Sequence, residues 1–148
     1  MSYSVKQIDV WAGDIMNRPG ALARVVEGLS AAGADLEFMV ARRVSENTSR
    51  VFLSPIKGKK VKQAATDAGL MPASNMHTVR IEGPDKSGVG ALITRAVAAA
   101  GVNLRGATAA VIGKKMVMNL GVGSAEDAKN AMTAAKQALK KGGKKRSK

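Results

Sequence analysis

Residue types able to do covalent or acid–base chemistry are scarce in this chain. Cysteine is absent and histidine occurs once, at His77. Disulfides, thiolate nucleophiles and thiolate metal sites are therefore excluded. His77 has no Ser or Cys nucleophile motif near it, and no metal-ligand cluster accompanies it, so it reads as a strand-edge residue. What the chain does offer is two sets of hydrogen-bonding groups next to glycines: Asn17, Gly20 and Asp35, then Asp85, Gly88 and Asn103. Each set pairs one amide with one carboxylate. A glycine at a helix start leaves the backbone N–H groups uncovered, so the helix dipole and those donors can receive an anion. Asp35 or Asp85 can accept from an ammonium, and Asn17 and Asn103 offer both hydrogen-bonding senses. These groups suit a small zwitterion. The same residue types are also ordinary helix caps and turn formers, and each one alone carries that second reading.

The elements that position these groups emerge from a self-comparison of the chain, which matches at an offset of 68 residues. Gly20 aligns with Gly88, Ala23 with Ala91, Ala32 with Ala100, Gly33 with Gly101 and Leu36 with Leu104. Each copy opens with a β-branched stretch, Gln7 to Ile15 or His77 to Gly83. A helix follows, starting at Pro19-Gly20 or near Gly88 and ending at Gly33 or Gly101. Its apolar face carries Leu22, Val25, Val26 and Leu29 in the first copy, and Leu92, Ile93, Val97 and Ala100 in the second. Two strands joined as a hairpin come next, Asp35 to Val44 with Arg50 to Pro55, and Asn103 to Ile112 with Lys115 to Val122. The second hairpin turns at Gly113-Lys114, the first through a longer polar loop from Ser45 to Ser49. Second helices are expected over Lys59 to Ala68 and Ala125 to Leu139, the latter started by Ser124 with Glu126 and Asp127. A fourth strand, Leu70 to Ser74, is expected in the first copy only, so the second copy should lack its edge strand.

This order, βαββα(β), gives an α+β fold: two ferredoxin-like repeats, each an antiparallel sheet with both helices on one face. The expected boundaries are 1–75, 76–139 and a basic disordered tail over 140–148. Units this small sit near the lower limit for a self-sufficient core, which favours pairing or dimerisation. Trp11 and Phe38 fall on strands and are expected in the core, and Met116 and Met118 should share one packed face. Gly88-Val89-Gly90 lacks the third glycine and the parallel crossover of a dinucleotide loop, so no cofactor is implied.

Asn17-Arg18-Pro19-Gly20-Ala21-Leu22-Ala23, with the helix and Gly33-Ala34-Asp35-Leu36 after it, resembles the ACT domain family. Asp85-Lys86-Ser87-Gly88, its helix and Gly101-Val102-Asn103-Leu104 resemble a second ACT domain, so the likeness spans about residues 5 to 139. The resemblance implies a non-catalytic regulatory module that binds an amino acid in the groove between paired domains, with a homodimer and an enzyme partner as associated expectations. It places the ligand at Asn17, Gly20, Asp35 and Leu36, and at Asp85, Gly88, Asn103 and Leu104. Ile15 departs from the pattern, because serine-regulated dehydrogenase members with an Asn-Arg-Pro-Gly loop carry histidine there.

Apolar residues make up 45% and charged residues 24% of the chain, the balance of a folded protein, while 3% aromatic content leaves little for base-stacking platforms. No stretch is apolar enough to span a bilayer and the N-terminus lacks a signal-peptide core, so a cytoplasmic location with no membrane partner is expected. The net charge of +13 is uneven. Lys140, Lys141, Lys144, Lys145, Arg146 and Lys148 lie within the last nine residues and make polyanion or nucleic-acid binding the alternative function.

Overall fold

The computed structural model describes residues 2–146, with side chains through residue 141. In chain order the elements are β1 (Ser4–Ile8), β2 (Trp11–Met16), α1 (Ala21–Ala31), β3 (Phe38–Arg43), β4 (Thr48–Ser54), α2 (Lys59–Asp67), β5 (Met71–Pro72), β6 (His77–Pro84), α3 (Val89–Ala99), β7 (Gly106–Ile112), β8 (Lys115–Val122) and α4 (Ala125–Arg146). They form two compact units: one is Asp9–Ser74, and the other joins the residues through Ile8 to those from Asn75 onward. The architecture is α+β, with two four-stranded antiparallel sheets and four helices.

In the unit Asp9–Ser74 the strand order is β3-β4-β2-β5. Alternation along the central strands decides which residues are buried. Trp11 lies opposite Leu53 and Gly13 opposite Val51, and that face meets α1 through Val25 and Leu29 and α2 through Val61 and Ala65. Val51, Leu53, Leu29 and Ala65 are fully buried. Helix α1 closes with a reciprocal bond pair: Gly33 N–H donates to Ser30 O at 3.0 Å and Ala34 N–H to Leu29 O at 3.0 Å. That closure needs a left-handed residue at Gly33, whose φ is +99°, which only glycine adopts without penalty. Trp11 packs on this core as expected. Phe38 does not: it lies opposite Ser54, on the face turned away from the helices, and stays outside the core cluster. Strand alternation shows that two neighbouring residues face opposite ways but leaves open which of them faces inward.

In the other unit the order is β1-β6-β8-β7. Val79, Ile81, Met116, Met118, Leu120 and Val122 form the inner face, covered by Val89, Ile93 and Val97 of α3 and by Ala128, Ala131, Ala135 and Leu139 of α4. Alanine on α4 lets that helix approach the sheet closely, and α4 starts as its sequence predicts, with Asp127 N–H donating to Ser124 Oγ at 3.0 Å. The expected strand from Gln7 to Ile15 is divided here. Its first part belongs to β1, which pairs antiparallel with β6 from Ser4 opposite Glu82 to Ile8 opposite Thr78. The sheet after His77 therefore does not lack its edge strand, because the chain's first strand occupies that place. Tyr3 anchors it: the phenol donates to Pro84 O at 2.8 Å, and the ring lies where a Cβ on Gly83 would stand. Helix α4 also runs past Leu139 into the basic segment expected to be disordered. An established helix adds residues at little cost, and lysines near its C-terminus complement the dipole.

The helix-free face of this second sheet carries a charge cluster. Glu82 Oε2 lies 3.4 Å from Arg80 Nη2 and 3.5 Å from Lys115 Nζ. Burial alone would push the Glu82 carboxyl up, but the Arg80 and Lys115 charges outweigh it and hold the group below its ordinary value of 4.5. The ionised form is thus favoured by folding. Its contribution is complete above that ordinary value and disappears as pH falls through the lower folded one.

Two outcomes follow. Glu82→Gln should cost about 0.5–1 kcal/mol at neutral pH, and chemical denaturation should show the gap to wild type closing as pH falls below 4.5; a pH-independent gap would refute the ion-pair account. Tyr3→Ala should cost about 2 kcal/mol, and Gly83→Ala about 1–3 kcal/mol by displacing the ring. Because both act on one contact, the double variant should lose less than the sum in the same denaturation experiment.

Candidate functional site

The candidate residues sit on loops at the two ends of α1 and α3. Before α1, Gly20 holds the N-cap position at φ +87°, and before α3 Gly88 does so at φ +85°. Glycine at the cap position supplies no side-chain cap in either helix, and neither first turn contains an acidic residue. A Cβ at Gly20 or Gly88 would meet nothing within 4 Å, so the glycines answer to the left-handed backbone rather than to crowding. The first N–H of each helix is engaged, Ala21 donating to Arg18 O at 3.3 Å and Val89 to Lys86 O at 3.1 Å, so the exposed N-terminus in each unit presents to an anion its dipole and the donors that follow.

Asn17 and Asp85 are not the caps, since the cap position lies three residues further on. Asn17 instead ties its loop to the β3–β4 hairpin. Its backbone N–H donates to Asn47 O at 2.9 Å, its Nδ2 donates to Glu46 O at 2.9 Å, and Ser49 Oγ donates to its Oδ1 at 3.3 Å. Asp85 makes the matching backbone bond, its N–H donating to Lys114 O at 2.8 Å. That hairpin turns in two residues, where the first leaves four between its strands. Glu46, Asn47 and Ser49 were not identified from the sequence as neighbours of this loop. The polar stretch Ser45 to Ser49 was the available signal, because in a ferredoxin-like unit the hairpin turns at the end where the first strand runs into its helix.

Asp35 and Asn103 lie elsewhere. Each is exposed and follows the C-terminus of α1 or α3, three residues before the next strand begins at Phe38 or Gly106. An 11-residue helix separates each from its expected companion, a distance of about 16 Å. Within one unit, then, Asn17 and Asp35 do not meet, nor do Asp85 and Asn103. Leu36 and Leu104 are half-buried and pack against their own cores. Of the basic residues, Lys140 and Lys141 are exposed on α4, while the side chains of Lys144, Lys145 and Arg146, and Lys148 as a whole, lie outside the described residues. Among the described residues no group of three or more acidic, His or Cys side chains could hold a metal ion, and no helix is long and apolar enough to cross a membrane. His77 lies on β6 opposite Val122, with Gln7 Nε2 at 3.4 Å from its Nδ1.

These geometries predict distinct costs. Gly20→Ala and Gly88→Ala should each lose about 1–2 kcal/mol from the left-handed backbone alone. Asn17→Ala should lose about 1 kcal/mol and accelerate amide exchange in residues 44–48. Denaturant titration and hydrogen exchange check both, and unchanged exchange in that loop would remove Asn17 as its tether.

No protein-family model matches the chain, and no curated protein sequence matches it. Its fold is similar to that of protein BT0572 from Bacteroides thetaiotaomicron, with a TM-score of 0.73 at 14% identity over 87% of this chain and 88% of that one. It is also similar to the ligand-free regulatory subunit of aspartate kinase from Thermus thermophilus, with a TM-score of 0.68 at 18% identity over 94% and 97% of the two chains. The regulatory subunit of aspartate kinase from Thermus flavus gives 0.59 at 19% identity over 93% and 97%. At these identities the likeness is one of fold alone.

Proposed function

We propose that this chain is a non-catalytic regulatory protein, built as two tandem ACT-type domains, that binds an amino acid where such domains pair side by side. The observation that carries the reading is the separation of its polar groups. Each unit has an uncapped, glycine-led helix N-terminus at one end and an exposed Asp35 or Asn103 about 16 Å away at the other. A single unit cannot close both around one small molecule. The ligand's carboxylate is assigned to backbone donors of one domain and its ammonium to an aspartate of the domain paired with it. In this arrangement Asn17 orients the loop rather than contacting the ligand directly, and where Asn103 stands in place of the aspartate, Asp85 accepts from the ammonium.

The named neighbours support the regulatory part of the reading, since two of them are regulatory subunits of aspartate kinase. We extend it to a cytoplasmic homodimer that docks on a catalytic partner, the ligand biasing two arrangements by binding one of them better.

Thermal unfolding against the common amino acids, one at a time, tests this. A ligand at a hundred times its Kd adds about 2.7 kcal/mol to the folded state, on the order of 10 °C for a domain of this size. The shift should disappear in Asp35→Ala or Asp85→Ala, while Lys59→Ala on the exposed side of α2 retains it. If no amino acid shifts the transition and native mass spectrometry finds none retained, the proposal fails.

A further inference from the structure

The charge of this chain is divided very unevenly between its two units. Residues 1–8 and 75–148 contain 15 of the 24 Lys and Arg and 4 of the 11 Asp and Glu, so that unit holds +11 of the net +13. Within it, α4 arranges cations in a definite way. Lys129, Lys136 and Lys140 recur at i, i+7 and i+11, which places them on one side of the helix, and all three are exposed. Ala128, Ala131, Ala135 and Leu139 occupy the side buried in the core. The stripe is therefore spare surface on a rigid helix, running about 16 Å along the axis. The two acidic residues of α4, Glu126 and Asp127, are confined to its first turn, so the stripe has no intervening counter-charge. The sequence continues with further cations beyond Lys141.

We infer that this face of α4 is a docking surface for duplex nucleic acid, held through its phosphates without sequence preference. Charge complementarity argues for a dense polyanion, and lysines, which meet phosphates as point charges, argue for backbone contact. Tyr3 is the only Phe, Tyr or Trp in this unit, and its hydroxyl is already engaged with Pro84 O. Single-stranded partners are usually gripped by base stacking, which this surface does not provide. A membrane surface would require apolar residues beside the lysines, and the apolar side of α4 is turned into the core. This inference is separate from the amino-acid reading and places macromolecule binding on a different element.

The test is fluorescence anisotropy of a labelled short duplex DNA of arbitrary sequence with the full chain, titrated across salt. Each phosphate neutralised contributes about 0.9 to the slope of log affinity against log salt. Neutralising the stripe as Lys129→Gln/Lys136→Gln/Lys140→Gln should reduce that slope by about 2–3 and weaken binding at least tenfold at low salt. Neutralising three exposed lysines of α2, Lys59→Gln/Lys60→Gln/Lys62→Gln, makes the same change in net charge and should leave the slope near its starting value. Circular dichroism should show both variants folded, since all six positions are exposed. Duplex DNA should also outcompete polyglutamate and phosphatidylserine vesicles at equal charge concentration. Equal losses in the two triple variants, no binding at low salt, or competition by polyglutamate or vesicles as effective as DNA would each overturn the inference.

Discussion

Everything in this molecule depends on each sheet committing one face to a core of apolar side chains beneath its helices. A four-stranded sheet with two helices is about the smallest unit that can form a core, and it does so by committing alternate residues of the central strands to the helices. In one unit these are Val51 and Leu53 beside Trp11 and Gly13; in the other they are Val79 and Ile81 beside Met118 and Leu120. A slip of one residue in either pairing would send the entire inner set to solvent. The helices follow from this. Small residues such as Ala65, Ala131 and Ala135 let them lie close to the sheet, and glycines beyond the C-termini of α1, α2 and α3 turn the chain back towards the next strand.

The first strand shows how far that requirement reaches. Without β1, β6 would be an edge with unpaired backbone groups and a core open beside Tyr3 and Val5. The first strand therefore joins a sheet whose other strands come from residues 77–122, and the intervening residues 9–74 form the other compact unit. A cut at the midpoint would part β1 from β6, although the internal repetition invites that division.

The candidate site and the charged helix make different uses of what the cores leave over. Loops at the helix ends are exposed because the core ends there, and the cap positions at Gly20 and Gly88 have no side chain to offer. Helix α4 is longer than its sheet needs, and its outward side is free to carry charge with no loss of packing. The proposed small-molecule site and the proposed polyanion surface rest on different elements.

Much of this was legible in the sequence, for physical reasons that can be named. Period-3.6 apolar spacing in Leu22, Val25 and Leu29, the closing glycines at Gly33 and Gly101, the Ser124 cap and the Gly113-Lys114 turn are local signals, each read within a few residues, and they determined the α+β class and the order of elements. Tertiary structure alone decided the rest. Gln7 to Ile15 reads as one β-branched stretch, but pairing partners divided it between two sheets. Phe38 has the hydrophobicity of a core residue, and only the register against Ser54 showed that it faces away from the helices. Asn17 has the chemistry of a cap or a ligand contact, and only the hairpin folded against it made it a tether. Asn17 and Asp35 are close in any list of polar candidates, yet the intervening helix holds them about 16 Å apart, because distances along the chain constrain local geometry and leave long-range placement to packing.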